Sequence, residues 1–179
     1  MACISKLANA IAYDCDSGAT GLVSALIINK ADIASYVVAA GSQAVTAITL
    51  VPGAQAYKID TVKRSLVVSS ALKVNEGAPN AYAHTVSLTM TRIADYTQRV
   101  VQNSFTNGSF VVLAERPGVP GAYIYGLYYG LSATSLDTNS HDNGGWTTAT
   151  LETPENVIGE DNILVTAEVY GPLYAAAVG

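Results

Sequence analysis

Charge is what this sequence has least of. Of its 179 residues only 13% are Asp, Glu, Lys or Arg, against about a quarter in an ordinary soluble domain. Nine basic residues are scattered along the chain and the net charge is −5. A protein that grips nucleic acid displaces counterions with clustered Lys and Arg, and this one carries no such cluster. Only two cysteines are present, Cys3 and Cys15. Neither belongs to a CxxC pair, which excludes the common zinc and thioredoxin-like arrangements. Two reduced thiols are the expected state, with a disulfide between them as the alternative. No apolar run approaches eighteen residues, so no membrane-spanning helix is expected. The opening "MACISKLANAIAYDC" has one lysine and no long apolar core, and so makes a poor secretion signal.

Catalytic motifs are missing too. The sequence holds no GxSxG elbow, no HExxH helix and no glycine-rich phosphate loop followed by lysine. Two histidines are available as general bases. His84 falls on the apolar face of a predicted strand, the setting of a packed histidine. His141 lies in "DTNSHDNGG" beside Asp137 and Asp142. That cluster lacks the regular spacing of a calcium loop and reads as a polar turn. Glu160 and Asp161 are adjacent on a predicted turn, where their side chains point apart. We therefore expect no enzyme, no cofactor, no bound metal and no catalytic residue.

What is abundant is strand-forming sequence: half the residues are hydrophobic and eleven are tyrosines. "GLVSALIINKADIASYVV" reads as two strands about an Asn-Lys-Ala-Asp turn, and "AVTAITLV" (44–51) as a strand stopped by Pro52-Gly53. "AYAHTVSLTMTRI" (81–93) alternates, with Tyr82, His84, Val86, Leu88 and Met90 on one face. The period then changes. Tyr96, Val100, Val101 and Phe105 follow helical spacing, which predicts a helix over about residues 94–106, with Asp95 as N-cap and Asn107-Gly108 as its stop. "SFVVLAE", "AYIYGLYYGLSATS" (bent or bulged at Gly126 and Gly130), "WTTATLE" and "NILVTAEVYG" complete the predicted strands. The tyrosines between Tyr123 and Tyr129 suit a sheet core, a partner contact or, with no supporting motif, a sugar platform. The fold class is mainly β (α+β): a single domain over 1–179, a β-sandwich or partial barrel with one flanking helix. A long hairpin or arm is expected around 58–80.

Two stretches, "HTVSLTMTRIADYTQRVVQNSFTNGSFVVLAERPG" and "YYGLSATSLDTNSHDNGGWTTATLETPE", make the layout resemble bacteriophage tail tube (major tail) proteins. It is particularly similar to virion structural proteins of Bacteroidetes phages. "YDCDSGATGLVSALIINKADI" is like the opening of those proteins, and the likeness covers about two thirds of the chain. The resemblance implies a tail-tube-like subunit that forms rings, commonly of six copies. These stack into a tube whose inner β-barrel conducts DNA without binding it specifically. It implies assembly in the host cytoplasm into the virion tail. Partners would be copies of itself and other tail proteins: tape measure, terminator, baseplate, and sheath if the tail contracts. The arm would touch the next ring or subunit through Lys58, Lys63, Arg64, Leu72, Lys73, Asn75 and Glu76. Alternatives are another virion component (tail terminator, neck or decoration protein) or a carbohydrate- or protein-binding β-sandwich.

Overall fold

The computed structural model describes residues 22, 24–59, 61, 65–74, 80–91, 96–139, 146–155, 157 and 159–179. These form a mainly β fold of eleven strands in one sheet that does not close into a barrel, with two helices. The strands are β1 (Ser24–Asn29), β2 (Ile33–Ala39), β3 (Ala44–Leu50), β4 (Tyr57–Ile59), β5 (Leu66–Lys73), β6 (Ala81–Thr91), β7 (Ser109–Glu115), β8 (Ala122–Tyr125), β9 (Leu131–Asn139), β10 (Trp146–Glu152) and β11 (Ile163–Val165). The helices are α1 (Tyr96–Asn107) and α2 (Ala167–Ala176).

The centre is the antiparallel pair of β1 and β7, in register from Ser24 opposite Glu115 to Asn29 opposite Phe110. Their sequences "SALIIN" and "SFVVLAE" are continuous apolar runs because both faces are covered. Ala25, Ile27, Phe110, Val112 and Ala114 point into one core cluster. Leu26, Ile28, Val111 and Leu113 point into another. Each of the larger side chains among them contributes about 1.5–3 kcal/mol by burial, and the pair belongs to both core clusters.

The sheet forks to cover the two faces. β8 and β9 both run antiparallel along one edge of β7, β8 pairing at Val112–Ala114 and β9 at Ser109–Phe110. They are one strand path interrupted by an excursion over residues 126–130, the irregularity expected at Gly126 and Gly130. Both glycines have left-handed backbones, φ 81° and 77°, which only glycine adopts at little cost. On the far side of β8 the sheet continues through β11 and β3 to β2; on the far side of β9 it continues through β10 and β6 to β5. The β9 limb lays Val86, Leu88, Met90, Ala149 and Leu151 over the first face, with Val101 and Phe105 of α1. The β8 limb lays Val45, Ile163, Val165 and Tyr170 of α2 over the second. One-sided burial explains the alternation of β10 and of β6 from His84 onward.

Helix α1 falls where its periodicity predicts, and Asp95 lies outside the described residues. The C-terminal expectation is corrected. "NILVTAEVYG" is not one long strand but β11 followed by α2. Val169, Tyr170, Leu173, Tyr174 and Ala177 recur at helical spacing and all pack on the second cluster. That stripe outweighs the β-branched start of the segment and even Pro172, which deprives Glu168's carbonyl of its helical donor. The hairpin expected near 58–80 is formed further along, by β5 against β6, from Leu66 opposite Leu88 to Lys73 opposite Ala81.

Candidate functional site

Two features of this forked sheet are candidates for function: its outer edges, and the junction where the limbs meet.

The edges differ in how they are treated. The margin of β4 is covered by the C-terminus, with Lys58 N–H donating to Val178 O at 2.9 Å and Val178 N–H to Ala56 O at 3.0 Å. Among the described residues no strand pairs with the outer margin of β2 or of β5. Neither is blunted by charge: "IASYVVA" has none and "LVVSSALK" only its terminal lysine. Both carry exposed apolar side chains, Val37 at 54% on β2, Val67 at 51% and Leu72 at 57% on β5, with Val74 at 71% just beyond. Long apolar edges of this kind are templates for pairing with another chain.

Of the seven contact residues expected from the sequence, Leu72 and Lys73 lie exposed on β5. Lys58 lies on β4, its Nζ 4.8 Å from the centre of the Tyr174 ring. Thus the structure puts Lys58 on a different strand from the other two. Lys63, Arg64, Asn75 and Glu76 lie outside the described residues, as do Cys3, Cys15, His141 and Asp142.

At the junction sits His84, on β6 and fully buried. Its Nε2 is 2.8 Å from the Glu160 carbonyl oxygen. A carbonyl only accepts, so we assign the proton to Nε2. Nδ1 lies 2.7 Å from Oγ of Ser70, its partner across the β5–β6 ladder. The ring also meets Tyr125 edge-on at 5.4 Å. The backbone N–H of His84 donates to Thr153 Oγ1, and Thr153 N–H returns a bond to the His84 carbonyl. This is the packed histidine expected, and more than packing: it fastens the β9 limb to the loop leading into β11.

Glu160 completes the fastening. Its carboxylate is buried and accepts the Leu127 N–H at 2.5 Å and the Tyr128 N–H at 3.4 Å, both in the excursion that forks the sheet. Such charge-assisted bonds to backbone amides are among the stronger ones in proteins. The carboxylate is 4.0 Å from His84 Nε2, and it works against the burial that lowers the Lys30 pKa. Ser70, His84 and Glu160 therefore resemble a hydrolytic triad only in composition. The imidazole bonds to the Glu160 main chain, the carboxylate is engaged elsewhere, and no atom of the ring is exposed to a substrate. Asp161 points outward, apart from Glu160 as expected of adjacent turn residues, and accepts a 2.9 Å bond from Gln43 Nε2.

Tyr123 and Tyr125 share the first core face, as their spacing predicts, Tyr125 buried and Tyr123 half-buried under Arg116. Tyr128 and Tyr129 are exposed on the excursion. Among the described residues no cluster of three metal-ligating side chains occurs, and no helix is long and apolar enough to cross a membrane. Comparison of the chain with family models, with curated proteins and with solved structures finds no match.

Proposed function

We propose that this chain is a structural subunit that assembles with copies of itself through its sheet edges. In this reading it is a phage tail tube protein, whose stacked rings enclose a DNA-conducting channel in the virion tail. The observation that carries the assembly is the pair of edges, β2 and β5. Each is seven or eight residues long, and each is apolar and almost free of the charges that natural sheets place on exposed margins. Completing a strand edge with a neighbour satisfies its backbone groups and buries Val37, Val67 and Leu72 in one step. The tail-tube form of the assembly rests on the sequence resemblance. An acidic chain also suits a channel that lets DNA slide, since it offers phosphate no basic patch.

The test is electron microscopy and light scattering of the purified full chain over a range of concentrations. Rings or tubes are expected. Val37→Lys and Val67→Lys each place a charge on an exposed edge position, and should abolish assembly while leaving the circular dichroism spectrum and Tm unchanged. A wild-type chain that stays monomeric at high concentration overturns the proposal.

A further inference from the structure

Where the two limbs meet, the surface opens into a cleft of about 280 Å³ whose lining includes Val38, Gln43, Ala81, Tyr128, Asp161 and Ile163. We propose that this cleft binds a sugar, a single pyranose ring or the end of a short glycan. The proposal is independent of edge assembly and stands or falls on its own.

The composition of the wall is the first argument. Val38, Ala81 and Ile163 supply apolar lining, and Tyr128, itself 43% exposed, lines the cleft with them. A pyranose has an apolar C–H face that stacks on such a ring, and hydroxyls on its rim that both donate and accept. The Gln43 amide and the Asp161 carboxylate line the cleft and are bonded to each other through one N–H and one oxygen. The remaining amide N–H and the amide and carboxylate oxygens are donors and acceptors in planar groups, which match neighbouring hydroxyls. A cationic ligand would find the Glu160 carboxylate already held by the Leu127 and Tyr128 amides and Asp161 by Gln43. An anionic one would face Glu160 and Asp161.

The second argument is that the wall is built rather than incidental. Tyr128 is held on both sides. Its N–H is bound by the buried Glu160 carboxylate, and its ring stacks on Tyr36 with centres 6.4 Å apart and planes 24° apart. The Lys30 ammonium lies 5.5 Å from the centre of the Tyr36 ring, a cation–π contact that adds to the stack. A preformed aromatic platform loses little freedom when it binds.

The third argument is strain. Gln43 is the one described non-glycine residue in the left-handed region, with φ 47°. It closes the turn between β2 and β3, where glycine would sit without cost. Its carbonyl accepts Leu164 N–H at 3.2 Å and its amide reaches Asp161. The left-handed backbone at Gln43 aims its side chain at Asp161, and both residues line the cleft.

The experiment titrates the full chain with methyl glycosides of glucose, galactose, mannose and N-acetylglucosamine, with argininamide as the cationic probe. Binding is read by saturation-transfer NMR and by amide chemical shifts. At least one glycoside should bind saturably and shift the Gln43, Tyr128 and Asp161 amides. Tyr128→Ala should weaken it about tenfold by removing the stacking face. Gln43→Gly is the sharper variant: it should leave the Tm close to the wild type, because relief of the left-handed backbone offsets the freer unfolded chain and the lost exposed bond to Asp161, yet lose binding. Val51→Ser, exposed and outside the cleft, should change nothing. The proposal is overturned if none of the four glycosides saturates, if binding survives both Tyr128→Ala and Gln43→Gly, or if argininamide binds the cleft in their place.

Discussion

Replacing Glu160 by alanine should cost the protein about 2–4 kcal/mol of stability, an amount out of proportion to one residue of a surface loop. The figure comes from what the carboxylate holds. Leu127 is wholly buried, and its N–H has the Glu160 carboxylate as its acceptor at 2.5 Å. A buried donor left without an acceptor costs about 1–3 kcal/mol, and the lost bond is charge-assisted. The longer Tyr128 bond at 3.4 Å adds a smaller share, because that amide is nearer solvent. The bond from His84 to the Glu160 main chain survives the substitution, so the loss isolates the carboxylate. Glu160→Gln keeps one acceptor oxygen for Leu127 and should cost about half as much. Urea titration followed by circular dichroism, at a concentration too low for assembly, gives the stability. Hydrogen exchange gives the location, with protection expected to fall first at Leu127 and Tyr128. If Glu160→Ala lies within about 0.5 kcal/mol of the wild type and both amides stay protected, the carboxylate is not what closes the fork.

Three further outcomes follow from the packing. Phe105→Ala should destabilise by about 3–5 kcal/mol, because Phe105 is fully buried and meets Phe110 edge-on at 5.0 Å; the check is the urea midpoint at unchanged m. Gly121→Ala should cost about 3 kcal/mol or prevent folding, since Gly121 has φ 97° and an added Cβ would run into the Val165 carbonyl. Soluble yield and Tm measure it. Burial pushes the Tyr170 phenol from 10.0 up to about 12, with Ser24 bonded to it and Glu115 nearby. The folded state thus holds this proton more tightly than the unfolded chain. The associated stability is complete below pH 10 and is lost as pH rises towards 12. Tyr170→Phe should flatten the alkaline decline in Tm, with a remainder from Tyr125 and Tyr128, whose phenols are raised in the same direction by burial.

The readability of this fold in its sequence follows the range of the interactions. β6 and β10 lie against the core on one face, so each wrote its own alternation, and α1 wrote a stripe of Val101 and Phe105. The runs of β1 and β7 announced strands, and their lack of alternation is explained by burial on both sides. α2 misled because a β-branched start and Pro172 are stronger local signals than an apolar stripe whose partner is remote in sequence. The junction was least legible. Glu160 reads as one more acid in a turn, because what it binds are main-chain amides of residues 127 and 128, and an amide leaves no mark in a sequence. The available clue was His84, an imidazole on an otherwise apolar face that burial obliges to find partners for both ring nitrogens. It finds Ser70 across the ladder and the carbonyl of Glu160, which brings the acid to the excursion and the two limbs to one another. The cleft beside that junction is a consequence of the same bonds: Tyr128 lines it, and Glu160 holds the excursion that carries Tyr128. A chain with so little charge places two carboxylates here, one turned inward to fix the sheet and one outward to the solvent, so the same short loop sets the fold and lines the cleft.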